Sequence, residues 1–187
     1  MASEHVVRHF QEELEQLKTR LLEMGGLAEE QVRLSIKALV DRDRELIERV
    51  LHGDEPLNKL HIEIDGRCFM LLALHQPMAV DLRAIVSAVK INTDLERVGD
   101  LAINIGEAAR RYAQHAPVKK LIDIPRMATI AQSMLRDALD ETAHREPQVI
   151  LGEATHFEQA GFELLELFLE MPDALLRRRH QPNLPVM

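Results

Sequence analysis

Glu96 and Asp100 stand four residues apart within Asn92–Asn104, N-T-D-L-E-R-V-G-D-L-A-I-N. On a helix that spacing sets the two carboxylates one turn apart, about 6 Å between Cβ atoms. Like charges so placed cost roughly a few tenths of a kcal/mol unless a cation lies between them. At a period of 3.6, Ile91, Leu95, Val98, Ala102 and Ile105 fall on one side of the helix. Thr93, Glu96, Asp100, Asn104 and Glu107 fall on the other. An ordinary solvated face mixes lysine with glutamate, whereas this one carries acids and amides. That composition suits a hard cation.

A second polar stripe precedes it. Asp54, Asn58, His61 and Asp65 share one helical face by their four-three-four spacing. If the two helices form an antiparallel hairpin turning at Pro77, residues equidistant from Pro77 lie level. Asp54 then meets Asp100, and Asn58 meets Glu96. The expected metal ligands are therefore Asp54, Asn58, Glu96 and Asp100. Oxygen ligands suit Mg, Ca, Mn or Fe, and His61 broadens the choice toward Fe or Zn. The bland alternative is two solvated faces on the outside of a bundle.

The elements that must position these residues read as long helices with short joins. Ser3 offers an N-cap, and Glu4 to about Val40 is helical in period, with Gly25-Gly26 as an interruption. Asp43 reads as the next N-cap, opening a helix that runs to His75. Pro56 should bend or break that helix near His52–Glu55. Gln76-Pro77 is a turn, and a third helix runs from about Met78 to Gln114. Asp123 with Pro125 opens a fourth, to about Ala143, with Met127, Ile130, Met134 and Ala138 as its inward stripe. A fifth spans Glu146 to about Met171.

Composition agrees with an all-α fold. The chain has 187 residues, 46% of them hydrophobic, with no Trp and one Tyr. A net charge of −8 argues against nucleic-acid binding, which needs a basic stripe. The single cysteine, Cys68, excludes an internal disulfide and reads as a buried thiol. Met1–His9 has no apolar run of the signal-peptide kind, and no run of 18 apolar residues is present, so a cytoplasmic location without membrane insertion is expected. No nucleophile–base pattern, P-loop or dinucleotide fingerprint is present, so an enzyme is not expected.

At Glu96-Arg97-Val98-Gly99-Asp100 the chain resembles the E-R-[IV]-G-D motif of the PhoU family of phosphate-uptake regulators. Asn104-Ile105, Met24-Gly25-Gly26, the Asp54…Asn58 spacing and Gln76-Pro77…Asp81-Leu82-Arg83 extend the likeness, over Phe10 to about Tyr112. The resemblance implies repeated three-helix bundles, residues 1–116 forming the first and 117–187 a partial second that lacks its last helix. It also implies negative regulation of phosphate uptake and starvation signalling, by contact with a phosphate ABC transporter and its histidine kinase. Metal clusters on E(D)xxxD motif pairs come with it, here with transition-metal ions such as Fe, Zn or Mn. Glu96-xxx-Asp100 fits that motif fully; Asp54-xxx-Asn58 ends in an amide. Arg83 and Arg97 are candidates for contact with an acidic partner surface.

The chain departs from the family pattern at His61, where a Glu is usual, and at Pro56, inside the ligand-bearing turn. His75-Gln76-Pro77 recurs as His180-Gln181-Pro182 with only five residues after it, so five helices rather than six are expected, the second repeat lacking its third. The apolar gap this leaves predicts a homo-oligomer. Two other readings stand beside this one. Glu141-x-x-His144 and Glu153-x-x-His156 match the spacing of ferritin-like di-iron bundles. A metal-free helical adaptor is the third.

Overall fold

The computed structural model describes residues 2–115, 121, 123–144 and 159. Five α-helices follow in order: α1 (Ala2–Asp41), α2 (Arg44–Leu51), α3 (Glu55–His75), α4 (Ala79–Ala113) and α5 (Asp123–His144). No strand occurs among the described residues. The fifth expected helix, Glu146–Met171, and the second His-Gln-Pro lie outside them.

Proline chemistry sets the break between α2 and α3. Pro56 occupies the first turn of α3, where its missing N–H has no helical partner to lose. The chain leaves α2 at His52 and re-enters helix at Glu55, as expected from the sequence. The Asp43 carboxylate accepts from the backbone N–H groups of Glu45 and Leu46, at 2.9 and 3.2 Å, and so caps α2. Gln31 on α1 donates to the Gly53 carbonyl and fastens the break to the bundle. Ser3, by contrast, lies inside α1 rather than capping it, since that helix already begins at Ala2.

Between α1 and α2 the chain turns through Arg42, which adopts a left-handed backbone (φ 56). Its guanidinium lies 5.0 Å from the Tyr112 ring centroid and donates to the carbonyls of Tyr112 and Ala113, at 3.1 and 3.2 Å, and of His115. These are carbonyls at the C-terminal end of α4, where a cation also suits the helix dipole.

One core runs through all five helices, with α1 packing against each of the others. Leu14, Leu17, Leu21, Met24, Ala28 and Val32 of α1 enter it, as do Ile64 and Cys68 of α3 and Ile91, Leu95 and Ile105 of α4. Burial pushes the Cys68 thiol up to about 12, the inert thiol that its apolar neighbours predict.

Two expectations about packing are corrected. Gly25-Gly26 does not interrupt α1, which is continuous over 40 residues. Gly25 instead provides room for Leu139 of α5, whose side chain occupies the space a Cβ would take. Accordingly α5 buries Ile124, Ala128, Ala131, Leu135, Ala138 and Leu139, with Met127 and Met134 of the expected stripe partly buried against the core and only Ile130 of it half exposed. Small alanines between these larger side chains allow close helix approach.

Close approach recurs on α4. A methyl placed on Gly106 would lie 2.8 Å from Val50 Cγ1, and one on Gly99 would lie 3.0 Å from Leu57 Cδ1. Val50 has a stiff χ1 and cannot swing aside cheaply. Replacing Gly106 by Val is therefore expected to destabilise the fold by about 1–3 kcal/mol. Gly66 of α3 has open space around it, and Gly66→Ala should instead gain about 0.5–1 kcal/mol of helix stability. Urea midpoints with unchanged slope measure both; equal shifts would mean that the α2–α4 seam is not tight.

Candidate metal centre

The α3–α4 hairpin turns on Gln76, whose left-handed backbone (φ 44) ends α3, and on Pro77, after which Met78 opens α4. A mirror about Pro77 would set Leu57 opposite Arg97 and Asp65 opposite Val89. The observed partners are Gly99, beside Leu57, and Asn92, whose amide donates to Asp65 Oδ1 at 2.8 Å and to the His61 carbonyl at 3.1 Å. The α4 partners thus lie two and three residues further on (99 − 97 and 92 − 89). Side chains lean toward the N-terminus of their own helix by about one residue. In an antiparallel pair the two leans add, which accounts for an offset of two.

The offset changes who faces whom. His61 is an α3 residue whose charge bears on Glu96. Asp54 and Asn58 do share a face, and Asn58 Nδ2 donates to Asp54 Oδ2 at 3.3 Å. Asp54 precedes α3 without capping it through its side chain, so its carboxylate is turned to Asn58 rather than to the backbone. All four expected ligands are half-buried except Asp100, which is exposed.

Glu96 and Asp100 lie close enough to share a hydrogen bond. Burial holds the Glu96 carboxyl above the usual carboxylate range, and the neighbouring Asp100 charge adds to the effect; His61 and Arg97 oppose it. Beside this pair, His61 Nδ1 and Asn92 Oδ1 are buried with no hydrogen-bond partner among the described residues. A crowded carboxylate pair bordered by unsatisfied polar atoms is a set of groups that a divalent cation would relieve. Glu96 and Asp100 could hold it, whereas Asp54 and Asn58 pair with each other on α3. Reading the sequence overlooked Asn92. Its signal was a polar residue on the edge of the Ile91–Leu95 stripe, and it is fully buried.

Glu141 is half-buried on α5, next to buried Thr142. The side chain of His144, together with Glu153 and His156, lies outside the described residues. Arg83 and Arg97 are both exposed, Arg97 lying 3.7 Å from Asp94.

Long antiparallel helices around one core, with an acid-and-amide seam between two of them, define an all-helical bundle protein with a candidate cation site. The PhoU domain model matches residues 21–109, which include that seam. The chain is 40% identical over 170 residues to a phosphate-specific transport system accessory protein PhoU homolog of Caulobacter vibrioides, covering 90% of this chain and 74% of the relative. It is 33% identical over 181 residues to the homolog of Pseudomonas putida, covering 92% and 71%. The crystal structure of PhoU from Pseudomonas aeruginosa matches with a TM-score of 0.69 and 28% identity, over 90% of this chain and 99% of that one. This chain belongs to the PhoU family.

Proposed function

We propose that this chain is a cytoplasmic accessory protein of phosphate-specific transport and a negative regulator of high-affinity phosphate uptake and starvation signalling. It acts by contact with a phosphate ABC transporter and its histidine kinase, not by catalysis. Metal on Asp54, Asn58, Glu96 and Asp100 stiffens the α3–α4 hairpin. Supporting this reading are the names of the relatives and one observation on the surface of the hairpin. Near its turn, Phe69, Met70 and Leu74 of α3 and Met78, Leu82 and Val86 of α4 are all exposed. Exposed large apolar side chains gathered near one hairpin turn suit a protein contact. Exposed Arg83, next to Leu82 in the chain, adds a donor for an acidic partner. Self-association through an apolar face is part of the same reading.

No helix among the described residues is long and apolar enough to cross a membrane. In this reading the regulator contacts the transporter without inserting into the bilayer. Deleting the gene is expected to leave phosphate-starvation genes expressed in phosphate-rich medium. Repression that persists in the deletion strain rejects the reading.

A further inference from the structure

His9 and Glu13 of α1 lie one helical turn apart, and His75 is the last residue of α3. The left-handed Gln76 and then Pro77 stop α3 at that point, which leaves the His75 ring beside α1. His75 Nε2 lies 2.8 Å from Glu13 Oε2, and His9 Nδ1 lies 3.3 Å from the same oxygen. The ligand atoms of these three residues all fall within 4.8 Å of one another. We propose that His9, Glu13 and His75 form a second metal site, for zinc or a similar divalent transition ion.

The geometry already approximates that of a bound metal. With bonds of 2.0–2.1 Å, ligand atoms at tetrahedral angles stand about 3.3 Å apart. The His9–Glu13 separation meets that spacing, and the shorter His75–Glu13 contact opens to it when the proton between them leaves. Metal binding displaces that proton, because imidazole coordinates only in its neutral form with a free lone pair. Two nitrogens and one carboxylate oxygen select Zn, Co, Ni or Cu over Mg and Ca.

Burial is graded across the site. The His75 side chain is 15% exposed and packs against the buried Phe10 ring, with centroids 4.9 Å apart. Glu13 is 32% exposed and His9 60%. His75 is thus held in place by packing, and His9 closes from the solvent side, leaving room for water as the fourth ligand. The site fastens the start of α1 to the tip of the α3–α4 hairpin. His61, beside Glu96, lies fourteen residues before His75 on α3, about 21 Å of helix rise away, so the two centres are separate.

The test uses the full chain with Glu96→Gln and Asp100→Asn, which silences the acidic seam. Calorimetric titration with Zn²⁺ is expected to give one equivalent per chain at micromolar concentration. His75→Ala and His9→Ala should each weaken it by at least about tenfold. His9 is exposed, so its replacement leaves folding intact and keeps the test decisive if His75→Ala fails to fold. Co²⁺ should give the intense visible absorption of a four-coordinate ion, lost in the His9 variant. Failure to bind in the seam-silenced chain, or Zn²⁺ affinity unchanged by His9→Ala, overturns the proposal. Neither result touches the acidic seam, which is absent from every arm.

Discussion

Exchanging Glu96 for Gln and Asp100 for Asn together is expected to raise the stability of the metal-free protein at neutral pH and to remove its stabilisation by Mn²⁺. The folded-state pKa of Glu96 lies above its ordinary value of 4.5, with burial as the first cause and Asp100 as the second. The folded state therefore holds the proton more tightly than the unfolded one, and stability falls as pH rises from the unfolded value through the folded one. Above both, the whole penalty is present. Removing the two charges relieves it, by roughly a few tenths of a kcal/mol for a partly solvated pair on one helix. A bound cation reverses the sign, since it prefers the carboxylates to their amides. At a metal concentration a hundred times Kd the parent should gain about 2.7 kcal/mol. For a chain of this size that corresponds to roughly 5–10 °C in melting temperature. Mn²⁺ is the choice of probe because it favours oxygen ligands and passes over the imidazole pair at His9 and His75. Scanning calorimetry of parent and double variant, with and without Mn²⁺, reads both effects. An equal Mn²⁺-dependent rise in the two proteins would place the metal elsewhere.

The sequence carries the helices well, because period and punctuation are local. Pro56, Asp43 and Gln76-Pro77 each act through their own backbone within a turn, so the breaks fall where those residues put them. What one helix meets on another is not local. Gly25 reads as a helix breaker until Leu139, 114 residues later, is seen filling the space beside it. Ile130 departs from the α5 stripe for the same reason, although Ala138 is buried and Met127 and Met134 border the core. Ile130 outranks alanine in hydrophobicity, yet it is half exposed while Ala128, Ala131 and Ala138 are buried beside Leu135 and Leu139.

Heights along the hairpin show a subtler limit. Counting from Pro77 matches Cα atoms, whereas contacts are made by side chains that lean toward each helix's N-terminus. That lean supplies two of the three residues by which Glu96 and Asn92 lie beyond the mirror positions of His61 and Asp65, and it is recoverable from the sequence once the tilt is included. The His9–Glu13 spacing was equally open to view. Its partner His75 was not, since 62 residues separate it from Glu13 and only the packing of α1 on α3 brings them level.

Placing Glu at both Phe69 and Leu74 is expected to abolish repression of phosphate-starvation genes while leaving the protein folded. The two side chains are 66% and 65% exposed, so little core contact is lost. Surface substitutions of this kind shift stability by within about 0.5 kcal/mol. Docking is another matter. Covering about 400 Å² of this apolar face would contribute about 10 kcal/mol before the cost of association. Two carboxylates set into that contact must be desolvated without partners, and a loss of only about 2.8 kcal/mol weakens binding a hundredfold. The variant at parental abundance should therefore derepress the starvation genes as fully as gene deletion does. Sedimentation equilibrium of the same protein separates two routes to that result. An unchanged mass ties the face to the transporter or kinase, and a fall from dimer to the 21.3 kDa chain ties it to a second copy. Full repression by a well-expressed variant would reject this face as the contact surface of the proposed regulator.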